Sequence, residues 1–233
     1  MERLAAVAAP TEVLDLSCSI CNLRKEKRFC PAVHGRICPH CCGEQREVTL
    51  DCPCECPYLQ QARQHQKPRT FEDLPADEVF PKIEVPEQFL HDREPLIAGV
   101  LQTLARLSRS DRDLHDREMI GALANLARSY QTLVGSGLVY EEALPNPAQR
   151  TIIETLRQLL QEFREVEHQH LGHTTLRDTE ILQTLVFILR LAHLPTSGRP
   201  RSRGFIDFLN ERFTEPAPSL GETPEPASRI ILP

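Results

Sequence analysis

All nine cysteines of this 233-residue chain fall between Cys18 and Cys56, in groups whose spacing suits metal ligation: Cys18-x2-Cys21, a single Cys30, Cys38-x2-Cys41-Cys42 and Cys52-x-Cys54-x-Cys56. A structural zinc ion takes four thiolate or imidazole ligands in a tetrahedron, and one Cys-x2-Cys knuckle supplies two of them. Four ligand groups therefore predict two sites and two Zn2+ ions. Interleaved, Cys18, Cys21, Cys38 and Cys41 form one site and Cys30, Cys42, Cys52 and Cys56 the other, the cross-brace order of small treble-clef, HIT-type and RING-type fingers. Sequential pairing, with His34 completing Cys18, Cys21 and Cys30, stays open, because spacing alone does not fix which groups share a metal.

Eight ligands leave a ninth cysteine. Cys54 is the expected spare, since Cys52 and Cys56, flanked by Pro53 and Pro57, can form a knuckle around it, and His34 and His40 are alternative ligands. A disulfide framework fits poorly: the count is odd, the pairs are tight, and the apolar run near Met1 is too short and too poor in basic residues for a secretory signal. The rival metal is an iron–sulfur cluster, whose cadence of three cysteines at x2 spacing followed by a fourth is missing. These features, with no run of 18 apolar residues, lead us to expect a soluble, cytoplasmic protein without a membrane span.

The formal net charge of -6 argues against a protein that wraps nucleic acid over its whole surface. Residues 17–69, however, carry nine Lys and Arg against five Asp and Glu, a local excess of +4. Eight thiolates on two Zn2+ would bring that stretch back to neutrality, so the bases have a role as counter-charges to the metal centres.

The strings Phe29-Cys30-Pro31-Ala32, Ile37-Cys38, Cys41-Cys42-Gly43, Arg46-Glu47-Val48, Asp51-Cys52-Pro53, Cys56-Pro57-Tyr58-Leu59 and Ala62-Arg63 resemble the amino-terminal signature of a group of uncharacterised bacterial proteins. These pair a cysteine-rich zinc-binding module with a helical carboxy-terminal region. Gly137-Leu138-Val139-Tyr140-Glu141 and Arg201-Ser202-Arg203 ahead of Phe205 are similar as well. The resemblance implies the same two-part organisation and carries no established activity. In that group the position matching Cys54 is usually not cysteine, which agrees with leaving it outside the ligand set.

A module so poor in apolar residues needs its metal to fold, and zinc binding contributes about 10 to 16 kcal/mol of apparent folding free energy in such cases. The remainder of the chain must supply an ordinary core. We expect a mainly α protein: a flexible arm (1–16), the zinc module (17–62), a Pro-rich linker (63–86), an all-helical bundle (87–213) and a disordered tail (214–233). Leu74, Val79, Phe80 and Ile83, with Phe71, suit a linker that lies along the bundle.

Helical apolar stripes start with Ile97, Val100, Leu101, Leu104 and Leu107 and recur from Ile120 to Val134, where Gly135-Ser136-Gly137 offers a stop. A third helix should open at Asn146-Pro147 and stop at Gly172, a fourth should cover 179–193 at the bundle centre, and a short fifth should follow Ser202. Leu90-x-Asp92-x-Glu94, Leu114-x-Asp116-x-Glu118 and Leu176-x-Asp178-x-Glu180 read as helix starts, with Asp as N-cap, Glu in the first turn and Leu as staple.

No nucleophile elbow, phosphate loop or dinucleotide fingerprint is present, so catalysis has no visible carrier. His168, His170 and His173 suit a helix C-terminus better than a metal. Arg199, Arg201 and Arg203, just ahead of a helix start, form a candidate anion site. The leading functional expectation is a zinc-binding intracellular protein acting as a protein-interaction or adaptor module. The alternatives are a nucleic-acid-binding regulator, using Arg24, Lys25, Lys27 and Arg28 on phosphates, and a helical small-ligand binder or enzyme with a pocket at Arg199 to Arg203.

Overall fold

Three cysteines, Cys30, Cys38 and Cys56, are each followed by a proline that opens a helical turn: the 3-10 turn Pro31–Val33, α1 (Pro39–Gln45) and α2 (Pro57–Gln64). Proline is suited to a first helical position because its φ is already helical and its missing N–H would have found no partner there. The first of these turns connects the strands of an antiparallel hairpin, β1 (Arg28–Cys30) against β2 (Gly35–Ile37), with Arg28 opposite Ile37 and Cys30 opposite Gly35. Ahead of the hairpin a tight loop forms, in which Asn22 N–H donates to the Cys18 carbonyl at 2.8 Å and Cys18 N–H donates to the Arg24 carbonyl at 2.9 Å.

The computed structural model describes residues 17–67, 69–74, 76–139 and 146–213. The expected arm (1–16) and tail (214–233) lie outside the described residues, as do Tyr140 and Glu141 and the side chains of Phe71 and Asp77. The chain divides into two compact units, Met1–Ala62 and Arg63–Pro233. In the first unit, the cluster of buried residues consists of five cysteines with only Ile37 and Leu50 added. Sulfur thus occupies the place that aliphatic side chains hold in an ordinary core.

The second unit is helical. It runs through a 3-10 turn at Phe71–Asp73, then α3 (Ala76–Val79), α4 (Glu87–Asp92), α5 (Glu94–Ser110), α6 (Asp116–Ser136), α7 (Pro147–Leu171), α8 (Asp178–His193) and α9 (Gly204–Arg212). The fold is the expected one, a small cysteine-rich module followed by a helical bundle. α6 and α7 end at Gly137 and Gly172, whose φ of +71° and +76° only glycine adopts without strain. α7 starts on Asn146, whose side chain accepts from Ala148 N–H at 2.9 Å. α8 is the central helix: Ile181, Leu182, Leu185, Val186, Ile188, Leu189 and Ala192 are all buried, and it packs on α3, α5 and α6. Each of the buried Ile, Leu and Val side chains contributes about 1.5 to 3 kcal/mol by leaving water.

Residues 63–86 carry short helical turns, with Leu74, Val79 and Phe80 buried. Arg190 of α8 holds the stretch in place. Its guanidinium donates to the carbonyls of Val79 (2.8 Å), Phe80 (2.7 Å) and Ile83 (2.8 Å), and burial lowers its pKa from the ordinary arginine value.

The capping motif is realised with a shift of one residue. His115 and Arg177, not Asp116 and Asp178, are the N-caps of α6 and α8, and Glu118 and Glu180 reach back to accept their backbone N–H groups at 3.1 and 2.9 Å. Asp92 lies at the end of α4 and caps nothing ahead of α5, whose N-cap is Arg93. Arg93 is itself a partly buried junction: it donates to both Glu180 oxygens, to Glu167 at 3.1 Å and to the Thr175 carbonyl at 3.1 Å.

Asp116, freed from capping its own helix, serves another one. Its carboxylate accepts from Phe205 N–H (3.1 Å), Ile206 N–H (3.1 Å) and Ser202 Oγ (2.8 Å), which closes the start of α9. The same corner is sealed at Gly204, where a Cβ would run into the Pro195 carbonyl.

Candidate metal centre

Sγ of Cys18, Cys21, Cys38 and Cys41 all lie within 4.8 Å of one another. Zn–S bonds of about 2.3 Å in a tetrahedron put ligand sulfurs about 3.8 Å apart, so the four need only small adjustments to close on one ion. Cys18 and Cys21 come from the tight loop ahead of the hairpin, Cys38 and Cys41 from the first turn of α1. Knuckle, hairpin and helix start thus bring together the first and third cysteine groups, the four sulfurs that the interleaved pairing puts in one site. None of the nine cysteines is in a disulfide.

The donor set fits a thiophilic cation. Cys18, Cys38 and Cys41 are buried and Cys21 is partly so. Cys38 is the N-cap of α1, its sulfur accepting from Cys41 N–H at 3.4 Å. Burial pushes the Cys18 thiol up, but N–H groups of Cys21, Cys38 and Ile20 outweigh it and bring the pKa down to about 6. For Cys41 burial comes first, and the sulfurs of Cys38, Cys21 and Cys18 reinforce it, pushing its thiol up to about 12. Crowded sulfurs resist becoming thiolates together, and a divalent cation among them reverses that balance.

Arg24 supplies positive charge at the rim. Desolvation works against its charge, yet hydrogen bonds and Coulomb attraction to Cys38 and Cys21 prevail and raise its pKa. With four thiolates around a Zn2+ carrying a net charge of about -2, such a cation stabilises the loaded state.

The remaining cysteines gather more loosely. Among the described residues, the tetrad is the one group whose three or more ligand atoms meet this closely. Cys30 and Cys42 are buried in the same cluster against which Cys52 packs. Burial is the main reason the Cys52 thiol is pushed up to about 11; Glu47 N–H opposes it, while Cys56 and Cys30 add to it, both lying within electrostatic reach. Arg28 donates to Cys42 Sγ at 3.4 Å while its guanidinium carbon sits 4.6 Å over the Tyr58 ring. Cys54 is exposed, and its carbonyl accepts from Gln60 Nε2 at 3.1 Å. His40 pairs with Glu44 at 2.9 Å on the exposed side of α1.

The other sequence candidates separate. His168, His170 and His173 are exposed and form no such ligand group. The α9 start that offered N–H groups to an anion receives the Asp116 carboxylate. Arg203 donates to the carbonyls of Arg112 and Leu114, Arg199 lines a cleft, and Arg201 and Arg203 do not line it. No protein-family model matches the chain, and no curated protein or solved structure matches it.

Proposed function

We propose that the chain is a zinc-binding intracellular protein whose amino-terminal module holds two structural Zn2+ ions and acts as a protein-interaction or adaptor module in the cytoplasm. The observation that carries the metal part is the clustering of Cys18, Cys21, Cys38 and Cys41. Four thiolates fill a tetrahedron and leave no position for water or substrate, so the ion holds structure and does not catalyse. The second ion would sit among Cys30, Cys42, Cys52 and Cys56, with Arg28 as its counter-charge at Cys42.

The protein-partner reading is supported by what the module displays. Leu23, 86% exposed beside the first knuckle, and Phe29, 55% exposed on β1, put apolar side chains in water on backbone that the metal would hold still. The nucleic-acid alternative loses part of its contact set, since Arg24 turns to Cys21 and Cys38 and Arg28 to Cys42 and Tyr58.

Elemental analysis of the purified chain tests the metal. Two zinc per chain are expected; less than one, or a brown iron chromophore, overturns the reading. Capture from cell extract with the zinc-loaded protein and with its Leu23→Ser, Phe29→Ser variant tests the adaptor role. A protein retained by the first and lost by the second is expected, and equal capture by both overturns it.

A further inference from the structure

Four arginines far apart in sequence converge on one cleft of the helical unit. Arg117 and Arg128 come from one face of α6, Arg69 from the stretch ahead of α3, and Arg199 from the loop between α8 and α9. The cleft has a volume of about 440 Å3, within the range of small-ligand sites. Glu78 is the one carboxylate on its wall and Glu118 pairs with Arg117 Nε at 2.6 Å, which leaves the lining with more arginines than carboxylates.

Two features make this more than a charged surface. His193 at the end of α8 lines the cleft and is 4% exposed, yet its Nε2 makes no hydrogen bond; the Glu78 carboxylate lies 3.4 Å away without the alignment one needs. Burial, aided by the Arg69 charge, holds its pKa below the ordinary histidine value, so the imidazole is neutral near pH 7. Two walls also meet closely: the Arg69 guanidinium lies against Gly198, where a Cβ would come within 3.0 and 3.1 Å of its nitrogens.

The spacing narrows the ligand. Arg117 and Arg128 are eleven residues apart on one helix, about 16 Å along its axis, and between them Ile120 and Ala124 give the wall an apolar strip. One phosphate group spans too little of that length, whereas a molecule with several anionic oxygens and an organic body matches it. Guanidinium groups pair with phosphate oxygens in forked, charge-assisted hydrogen bonds. We propose that this cleft binds a small organic molecule carrying two or more phosphoryl groups, with the arginines on the phosphates, Ile120 and Ala124 under the organic part, and the unpartnered His193 Nε2 as a polar contact. This site is independent of the metal centre.

Calorimetric titration of the full zinc-loaded chain with ADP, pyrophosphate, adenosine and a single-stranded RNA tests it. One ADP or pyrophosphate per chain is expected, with adenosine at least tenfold weaker than ADP. Arg128→Gln and Arg199→Gln should each weaken binding at least tenfold, whereas Arg106→Gln, outside the cleft, should leave it unchanged. Thermal melts accompany each variant; should either fail to fold, Arg117→Gln, whose side chain is 62% exposed, carries the test with the same expected loss. Absence of saturable binding by both phosphate probes, unchanged affinity in the cleft variants, or an RNA that binds more tightly than ADP and displaces it would each overturn the proposal.

Discussion

Nη1 of Arg28 lies 3.4 Å from Sγ of Cys42, the residue that follows the tetrad's Cys41 in α1. Adjacent residues on a helix diverge by about 100°. The Cys41-Cys42 pair therefore sends one sulfur to the tetrad and the other toward Arg28, as the proposed second site requires. Removing the guanidinium with Arg28→Ala should speed zinc loss from the second site to a colorimetric chelator and weaken its affinity about 10- to 100-fold, the usual effect of losing a group that supports a ligand. Release of the first ion should be unchanged.

The ligand assignment makes a sharper prediction. Cys54→Ser should keep two zinc per chain by mass spectrometry under native conditions. Cys30→Ser should keep one, and Cys38→Ser should lose the tetrad's ion together with the hairpin's amide protection. Loss of zinc from Cys54→Ser would show that the exposed thiol is a ligand.

Asp116 is buried and accepts from two backbone N–H groups and a hydroxyl. Asp116→Ala leaves those donors without partners at a cost of about 2 to 4 kcal/mol, read as a fall in the thermal midpoint. Ser202→Ala removes one hydroxyl from the same cluster and should cost about 1 kcal/mol.

Acid should loosen the α7–α8 corner. Burial works against the Glu167 carboxylate, but Thr175, Leu176 and Thr174 all donate to it and bring its pKa from 4.5 down to about 2. A depressed carboxylate contributes stability that is complete above its unfolded pKa and fades as pH falls from about 4.5 toward 2. That contribution is on the order of 2 kcal/mol. In urea titrations between pH 7 and 2, Glu167→Gln should start less stable and lose less of its stability over that window than the parent chain.

Arg190 makes the fifth case. Arg190→Leu strips the carbonyls of Val79, Phe80 and Ile83 of their donor and should cost about 2 to 4 kcal/mol. Limited proteolysis should then cut within 76–86 before it cuts α5 to α8.

The helices were legible because period and punctuation agree. Asn146-Pro147, Gly137 and Gly172 mark ends that the backbone adopts, and the all-round apolar segment at 179–193 became the central helix. The Leu-x-Asp-x-Glu motif was read with its aspartates one place early, because the glutamates do the back-bonding and Asp116 has a distant use no local pattern records. Within the module, α1 and α2 were hidden: each is brief and opened by a Cys-Pro pair, so neither shows a period. The tetrad was visible in the spacing of its two knuckles. The arginine cleft was not, since Arg69, Arg117, Arg128 and Arg199 share no motif and meet only through tertiary packing.

Gly204 connects that cleft to something smaller than any side chain. Because the Pro195 carbonyl rests where a Cβ would stand, the chain from Pro195 to Arg203 lies pressed on the start of α9, with Arg199 in its middle. A side chain at residue 204 would have to push back the backbone at Pro195 and Thr196, and Thr196 itself lines the arginine cleft. Alanine at 204 is therefore a way to move one wall of the cleft without replacing any residue that lines it.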